Sequence, residues 1–106
     1  MLKRLKRRYL AIEIDSAESF DSRELMEAVW CAIEKLYGEY GASHTGLSLI
    51  EHEADRRRVV LRVLCDAVDS VRAALASITK INGKSVALHV LMVSGTLKAL
   101  YRKLEN

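Results

Sequence analysis

Hydrophobic positions along the chain switch repeatedly between a period of two and a period near 3.6. From Arg8 to Asp15, Leu10, Ile12 and Ile14 fall on one side and Tyr9, Ala11 and Glu13 on the other, as in a half-buried β-strand. Asp21 followed by Glu24 has the form of a capping box. Behind it Leu25, Val29, Ile33 and Leu36, with Met26, Trp30 and Tyr37 alongside, make a broad apolar helical face. Gly38 and Gly41 are expected to end that helix. Thr45, Leu47 and Leu49 then alternate with Gly46, Ser48 and Ile50, which reads as a second strand. Glu51 to Arg57 reads as a charged loop, and Val59 to Cys65 as a third strand interrupted by Arg62. The short separation of these two strands predicts a β-hairpin.

Asp66 and Asp69 repeat the acid pattern of a helix start. Val68, Val71, Leu75 and Ile78 mark the buried stripe, and Ala73, Ala74 and Ala76 allow close neighbours. Asn82-Gly83 supplies a turn. Val86 to Val93 is a fourth strand, apolar on both faces except for His89. Ser94-Gly95-Thr96 opens a final helix with Thr96 as its cap. In that helix Leu97, Leu100, Tyr101 and Leu104 share one face, and Lys98, Arg102 and Lys103 occupy the rest.

The order is β-α-β-β-α-β followed by a helix, which is the α+β, ferredoxin-like or RNA-recognition-motif-like arrangement. Two helices would cover one face of a four-stranded antiparallel sheet. The other face would expose Val60, Leu64 and one side of the fourth strand, a patch that needs cover. Leu97, Leu100 and Leu104 have the matching apolar surface, so the last helix is expected to lie there. The order itself hosts many activities and decides none.

Charge changes the picture more than composition does. The 106 residues, half of them apolar and none of them proline, fit one domain with a modest core. The net charge is +3, yet residues 1–8 carry five Lys or Arg and no acid, leaving a body of net −2. The chain thus divides into a basic N-terminal segment, 1–8, and a single domain, 9–106. Localised positive charge of this kind attracts polyanions; the plain alternative is a solubilising terminus. The longest purely apolar run, Ala28 to Ile33, is six residues, too short to span a membrane. Cys31 and Cys65 lack a CxxC spacing and no secretory signal is visible, which suits a reduced, cytoplasmic protein.

Several segments together carry a family resemblance. They are Arg8-Tyr9-Leu10-Ala11-Ile12-Glu13-Ile14, Gly38-Glu39-Tyr40-Gly41, Gly46-Leu47-Ser48-Leu49-Ile50, Val60-Leu61-Arg62-Val63, Val71-Arg72-Ala73-Ala74-Leu75-Ala76, and Val93-Ser94-Gly95-Thr96-Leu97-Lys98-Ala99-Leu100. In this order and spacing, from about Arg8 to Lys103, the chain resembles archaeal ribonuclease P protein component 2, the counterpart of a small subunit shared by eukaryotic ribonuclease P and ribonuclease MRP. The resemblance implies a ribonucleoprotein subunit. In such a complex the RNA component removes the 5′ leader of precursor tRNA with Mg²⁺, so precursor tRNA is met indirectly. It also implies a larger barrel-type protein partner and self-association of two copies within a heterotetramer. It names no catalytic side chain, no metal ligand and no cofactor bound by this chain.

RNA contact is then expected from charge at the edges: Lys3, Arg4, Lys6, Arg7 and Arg8, with Lys98, Arg102 and Lys103 next. Such contacts position RNA without reading its sequence. A base-stacking sheet is not expected, because Tyr9 is the one aromatic on a strand and the third strand offers Val60, Arg62 and Leu64 outward. Arg56-Arg57-Arg58 adjoins Glu51, Glu53 and Asp55 and reads as self-compensated; Arg62 calls for Glu13 or another strand carboxylate, with RNA the lesser alternative.

Other chemistries find weaker support in the sequence. His44 and His52 are about 27 Å apart if both lie in one strand, too far to share a metal; His89 is alone, and Cys31 and Cys65 are expected as small buried hydrophobes. Glu13 and Asp15, about 7 Å apart on one strand face, keep open a small dimeric metal-dependent nuclease, against the plainer reading of solvated acids. A ligand-binding regulatory domain would want glycine in the turn after the first strand, where Ser16-Ala17-Glu18-Ser19 stands. Ser94 has no histidine implied beside it and suits a turn.

Overall fold

The computed structural model describes residues 6–105. Strands β1 (Arg7–Asp15), β2 (Ser48–Glu53), β3 (Arg58–Leu64) and β6 (Ala87–Ser94) form one sheet in the order β2-β3-β1-β6, and all three neighbouring pairs are antiparallel. Helices α1 (Ser22–Ser43) and α2 (Val68–Ser77) pack on one face. The short helix α3 (Leu97–Leu104) packs on the other. The ferredoxin-like order is therefore as expected, with a two-residue hairpin added between α2 and β6: β4 (Lys80–Ile81) and β5 (Lys84–Ser85).

Local chemistry explains most boundaries. Asp21 accepts a hydrogen bond from the Glu24 backbone N–H at 2.8 Å, and the Glu24 carboxylate accepts one from Asp21 N–H at 3.2 Å, closing the capping box. Asn82 and Gly83 both have positive φ, 52° and 80°, the geometry of a type I′ hairpin turn. Asn82 Nδ2 also donates to Glu24 at 2.7 Å, tying the hairpin to the start of α1. Under α1 and α2, Leu10, Ile12 and Ile14 meet Leu25, Val29, Ile33, Val71, Ala74 and Leu75 in the main core.

Several local expectations change. Gly38, at φ 76°, interrupts α1 as expected, but one further turn follows it to Ser43. Leu36 and Tyr37 are exposed, because α1 outruns the core after Ile33 and returns to it only at Ala42. Strand β2 begins at Ser48, since Gly46 takes a positive φ of 65° that a strand does not tolerate. It continues through Glu53, whose charge is neutralised across the hairpin by Arg58 instead of lying in a loop. Asp66 caps nothing: a tight 3₁₀ turn (Cys65–Ala67) runs straight into α2, so the residue before the helix is already helical. Along α2, Ala74 is buried but Ala73 and Ala76 are exposed. Cys31 is exposed as well, and Cys65 half-buried, so neither is a buried core residue.

Candidate nucleic-acid interface

The outer sheet face owes its closure to α3. Thr96 Oγ1 accepts a hydrogen bond from Ala99 N–H at 3.1 Å, satisfying one of the free donors of the first turn. Leu100 is then fully buried against Ala11 and Val60, with Tyr9, Ile50, Met92, Leu97, Tyr101 and Leu104 around it. Bulges on the two edge strands help. The register shift in β2 falls at Ile50, which turns toward α3, and the shift in β6 falls at Leu91, which is left exposed. Tyr101 OH donates to the Glu51 carboxylate on β2, so α3 crosses the sheet from the end of β6 to the opposite edge strand. Burial first, and then that hydrogen bond and the negative charge of Glu51, push the Tyr101 phenol up to about 12.

This crossing sets the basic residues in place. With its apolar face inward, α3 leaves Lys98, Arg102 and Lys103 exposed. Lys98 and Arg102 are four apart and share one outward stripe. Arg102 and Lys103 also lie in the last turn, where cations suit the helix dipole. Of the N-terminal cations, Arg8 joins the start of α3. Lys6 is anchored by its carbonyl, which accepts from Cys65 N–H at 2.8 Å. Tyr9 is opposite Ser94 in register, and a Cβ placed on Gly95 would lie 3.8 Å from Arg8 Nη1. The structure thus brings Arg8 to the turn from which α3 departs, with Lys6 and Arg7 preceding it at the head of β1 beside the end of β3, while Arg102 and Lys103 stand at the far end of the helix. Lys3 and Arg4 lie outside the described residues.

The two acids of β1, Glu13 and Asp15, stand at the other end of the same strand. Arg7 and Asp15 are separated by roughly 27 Å of extended chain. At the Asp15 end, Glu13 lies between Arg58 and His89 in register, and Asp15 meets His89 at 3.4 Å on an exposed surface. Among the described residues no three His, Cys, Asp or Glu side chains converge as a metal site. His52 is bonded to Ser22 at 3.0 Å, and His44 stacks beside Tyr40 with ring centres 4.1 Å apart. The hairpin arginines are internally engaged as expected. Arg58 reaches Glu53 through two nitrogens, at 2.7 and 3.3 Å, Arg56 approaches the same carboxylate at 3.7 Å, and Arg57 donates to the Ser16 carbonyl.

Arg62 departs from expectation. It faces outward between Tyr9 and Ser48, and no ion pair among the described residues includes it. Glu13 is four positions further along β1, about 13 Å away, and cannot reach it. Outwardness was readable from alternation; the missing partner was not, since it depends on the register of three strands.

Comparison with known proteins agrees with this arrangement. The family model described as the Rpp14/Pop5 family matches residues 8–105. Ribonuclease P protein component 2 of Pyrococcus furiosus is 34% identical over 98 residues, covering 92% of this chain and 82% of the relative. The protein of the same name from Methanosarcina mazei is 34% identical over 100 residues, covering 94% and 84%. In fold, a chain of the yeast ribonuclease MRP cryo-EM structure superposes with a TM-score of 0.73 at 14% identity, covering 99% of this chain and 95% of that one. With the match running from the first basic strand residues through α3, this chain belongs to the Rpp14/Pop5 family.

Proposed function

We propose that this chain is a protein subunit of ribonuclease P, acting in 5′ maturation of precursor tRNA. The observation that supports it is the extent of the match: 34% identity to component 2 of Pyrococcus furiosus over 92% of this chain, with the family match over residues 8–105 taking in the basic helix α3. In this reading the subunit belongs to an endoribonuclease, the RNA component performs the cleavage with its own Mg²⁺, and the chain binds no cofactor. Its task is to hold the RNA in a productive fold. Lys6, Arg7 and Arg8 at the head of β1, extended by Lys3 and Arg4, bind phosphates at one end of α3, and Lys98, Arg102 and Lys103 bind them along it. Arginine suits this task because its planar fork grips a phosphate through two hydrogen bonds. A barrel-type protein subunit works alongside, two copies of this chain associate within a heterotetramer, and the complex is cytoplasmic. No helix of the described residues is long and apolar enough to cross a membrane.

The test is reconstitution. This protein and its barrel-type partner, added to the ribonuclease P RNA, should raise precursor tRNA cleavage at low Mg²⁺ above that of RNA alone. Absence of stimulation would remove the functional reading and leave the fold untouched.

A further inference from the structure

Among the described residues, Arg62 is the one side chain with a buried polar atom left without a hydrogen-bond partner. It sits at the middle of β3 on the outer face, half-buried, and its Nε is shielded from solvent with no hydrogen-bond partner among the described residues. Leaving a donor of a charged group unpaired away from water costs stability. The obvious partners are committed elsewhere. Glu53 is held by Arg58, Glu51 accepts from Tyr101, and Glu13 lies opposite Arg58 and His89.

The register instead gives Arg62 a second arginine as its diagonal neighbour. Arg62 pairs in register with Tyr9, and Arg7 is the diagonal neighbour on β1, opposite Leu64. Diagonal positions on one sheet face are about 7–8 Å apart, within reach of two long side chains converging on one ion. No ion pair among the described residues includes Arg7 either. Two guanidiniums on one face, without a carboxylate between them, repel each other and favour an anion. Tyr9 and Leu64 line the space beside them.

We propose that Arg62 and Arg7 form a phosphate clamp on the open part of the sheet beside α3, gripping one phosphodiester of the ribonuclease P RNA. This rests on the RNA-subunit reading above and adds to it a contact that runs from the basic head of β1 onto β3 through Arg62. The unpaired Nε of Arg62 belongs to a donor fork whose acceptor arrives with the RNA.

The experiment measures binding of the full-length protein, with its barrel-type partner, to a labelled ribonuclease P RNA transcript across a salt series, and thermal unfolding of the free protein. Arg62→Met keeps the apolar stem and removes the fork. It should weaken binding about tenfold or more, lower the slope of log affinity against log salt by about 0.7–0.9, and leave Tm unchanged or raised. If both arginines hold one phosphate, Arg7→Gln combined with Arg62→Met should weaken binding by less than the product of the two single effects. Arg72→Met, on exposed α2 across the molecule, serves as the charge-matched control. Unchanged affinity and slope in Arg62→Met would overturn the clamp, as would a Tm that falls together with affinity, which marks a structural role. Fully multiplicative effects would also overturn it. Failure of the unaltered protein to bind the transcript at all would instead sink the RNA-subunit reading beneath it.

Discussion

Leu100→Ala is the sharpest probe of how this small domain closes its outer face. Leu100 is fully buried between α3 and the sheet, against Ala11 and Val60. The substitution deletes three carbon groups, worth about 2.4 kcal/mol at ~0.8 kcal/mol each. A cavity that stays open raises the cost toward about 5 kcal/mol. Collapse is the expected outcome here, because an eight-residue helix has little stability of its own and follows its apolar contacts. The loss should therefore sit near 2.5–3 kcal/mol, or roughly 10–20 °C in Tm. Undocking has a spatial signature as well. In hydrogen exchange the α3 amides should lose protection first, while β1 and β3 remain protected until global unfolding. Freed of α3, Ala11, Val60 and Met92 would form an exposed apolar patch, so self-association should rise. Urea unfolding and exchange mass spectrometry read both effects. A loss below about 1 kcal/mol with unchanged α3 protection would refute the claim that this leucine holds the helix down.

Further outcomes follow from the same geometry. The Tyr101 phenol rises from 10.0 unfolded to about 12 folded, so its contribution is fully present below pH 10 and is lost as pH climbs to about 12. Tyr101→Phe should remove that share of the alkaline decline, read as the difference in urea midpoints across pH; identical profiles would contradict the Glu51 contact. Gly46→Ala should destabilise by roughly 1–3 kcal/mol, because Gly46 has φ 65° and the new Cβ would sit 2.7 Å from Leu64 Cγ; calorimetry reads it. Replacing Lys3, Arg4, Lys6, Arg7 and Arg8 by Gln should lower the salt slope of RNA binding by about 3 to 4. Substitution is preferable to deletion, since β1 already starts at Arg7. An unchanged slope would reduce the segment to a solubilising terminus.

Most of the element order and the polarity of charge were legible in the chain itself, because they arise from neighbours in sequence. The alternation of Leu10, Ile12 and Ile14, the Asp21–Glu24 box, the Asn82-Gly83 turn and the Thr96 cap each act within a few residues, and each appears where its pattern stands. Even the cover over the outer sheet face was foreseeable, since Leu97, Leu100 and Leu104 needed an apolar surface and Val60 offered one. The resemblance of the VSGT-containing segment pointed to the same family that the comparisons show.

Tertiary structure alone decided where partners meet, because register, bulges and helix ends depend on distant chain segments. It carried β2 through Glu53 by supplying Arg58, left Leu36 and Tyr37 in solvent beyond the core, and set Arg8 beside Gly95. It also withheld a carboxylate from Arg62 by placing Glu13 four residues too far along β1. Alternation tells which face a side chain takes; only the pairing of strands tells what stands opposite it.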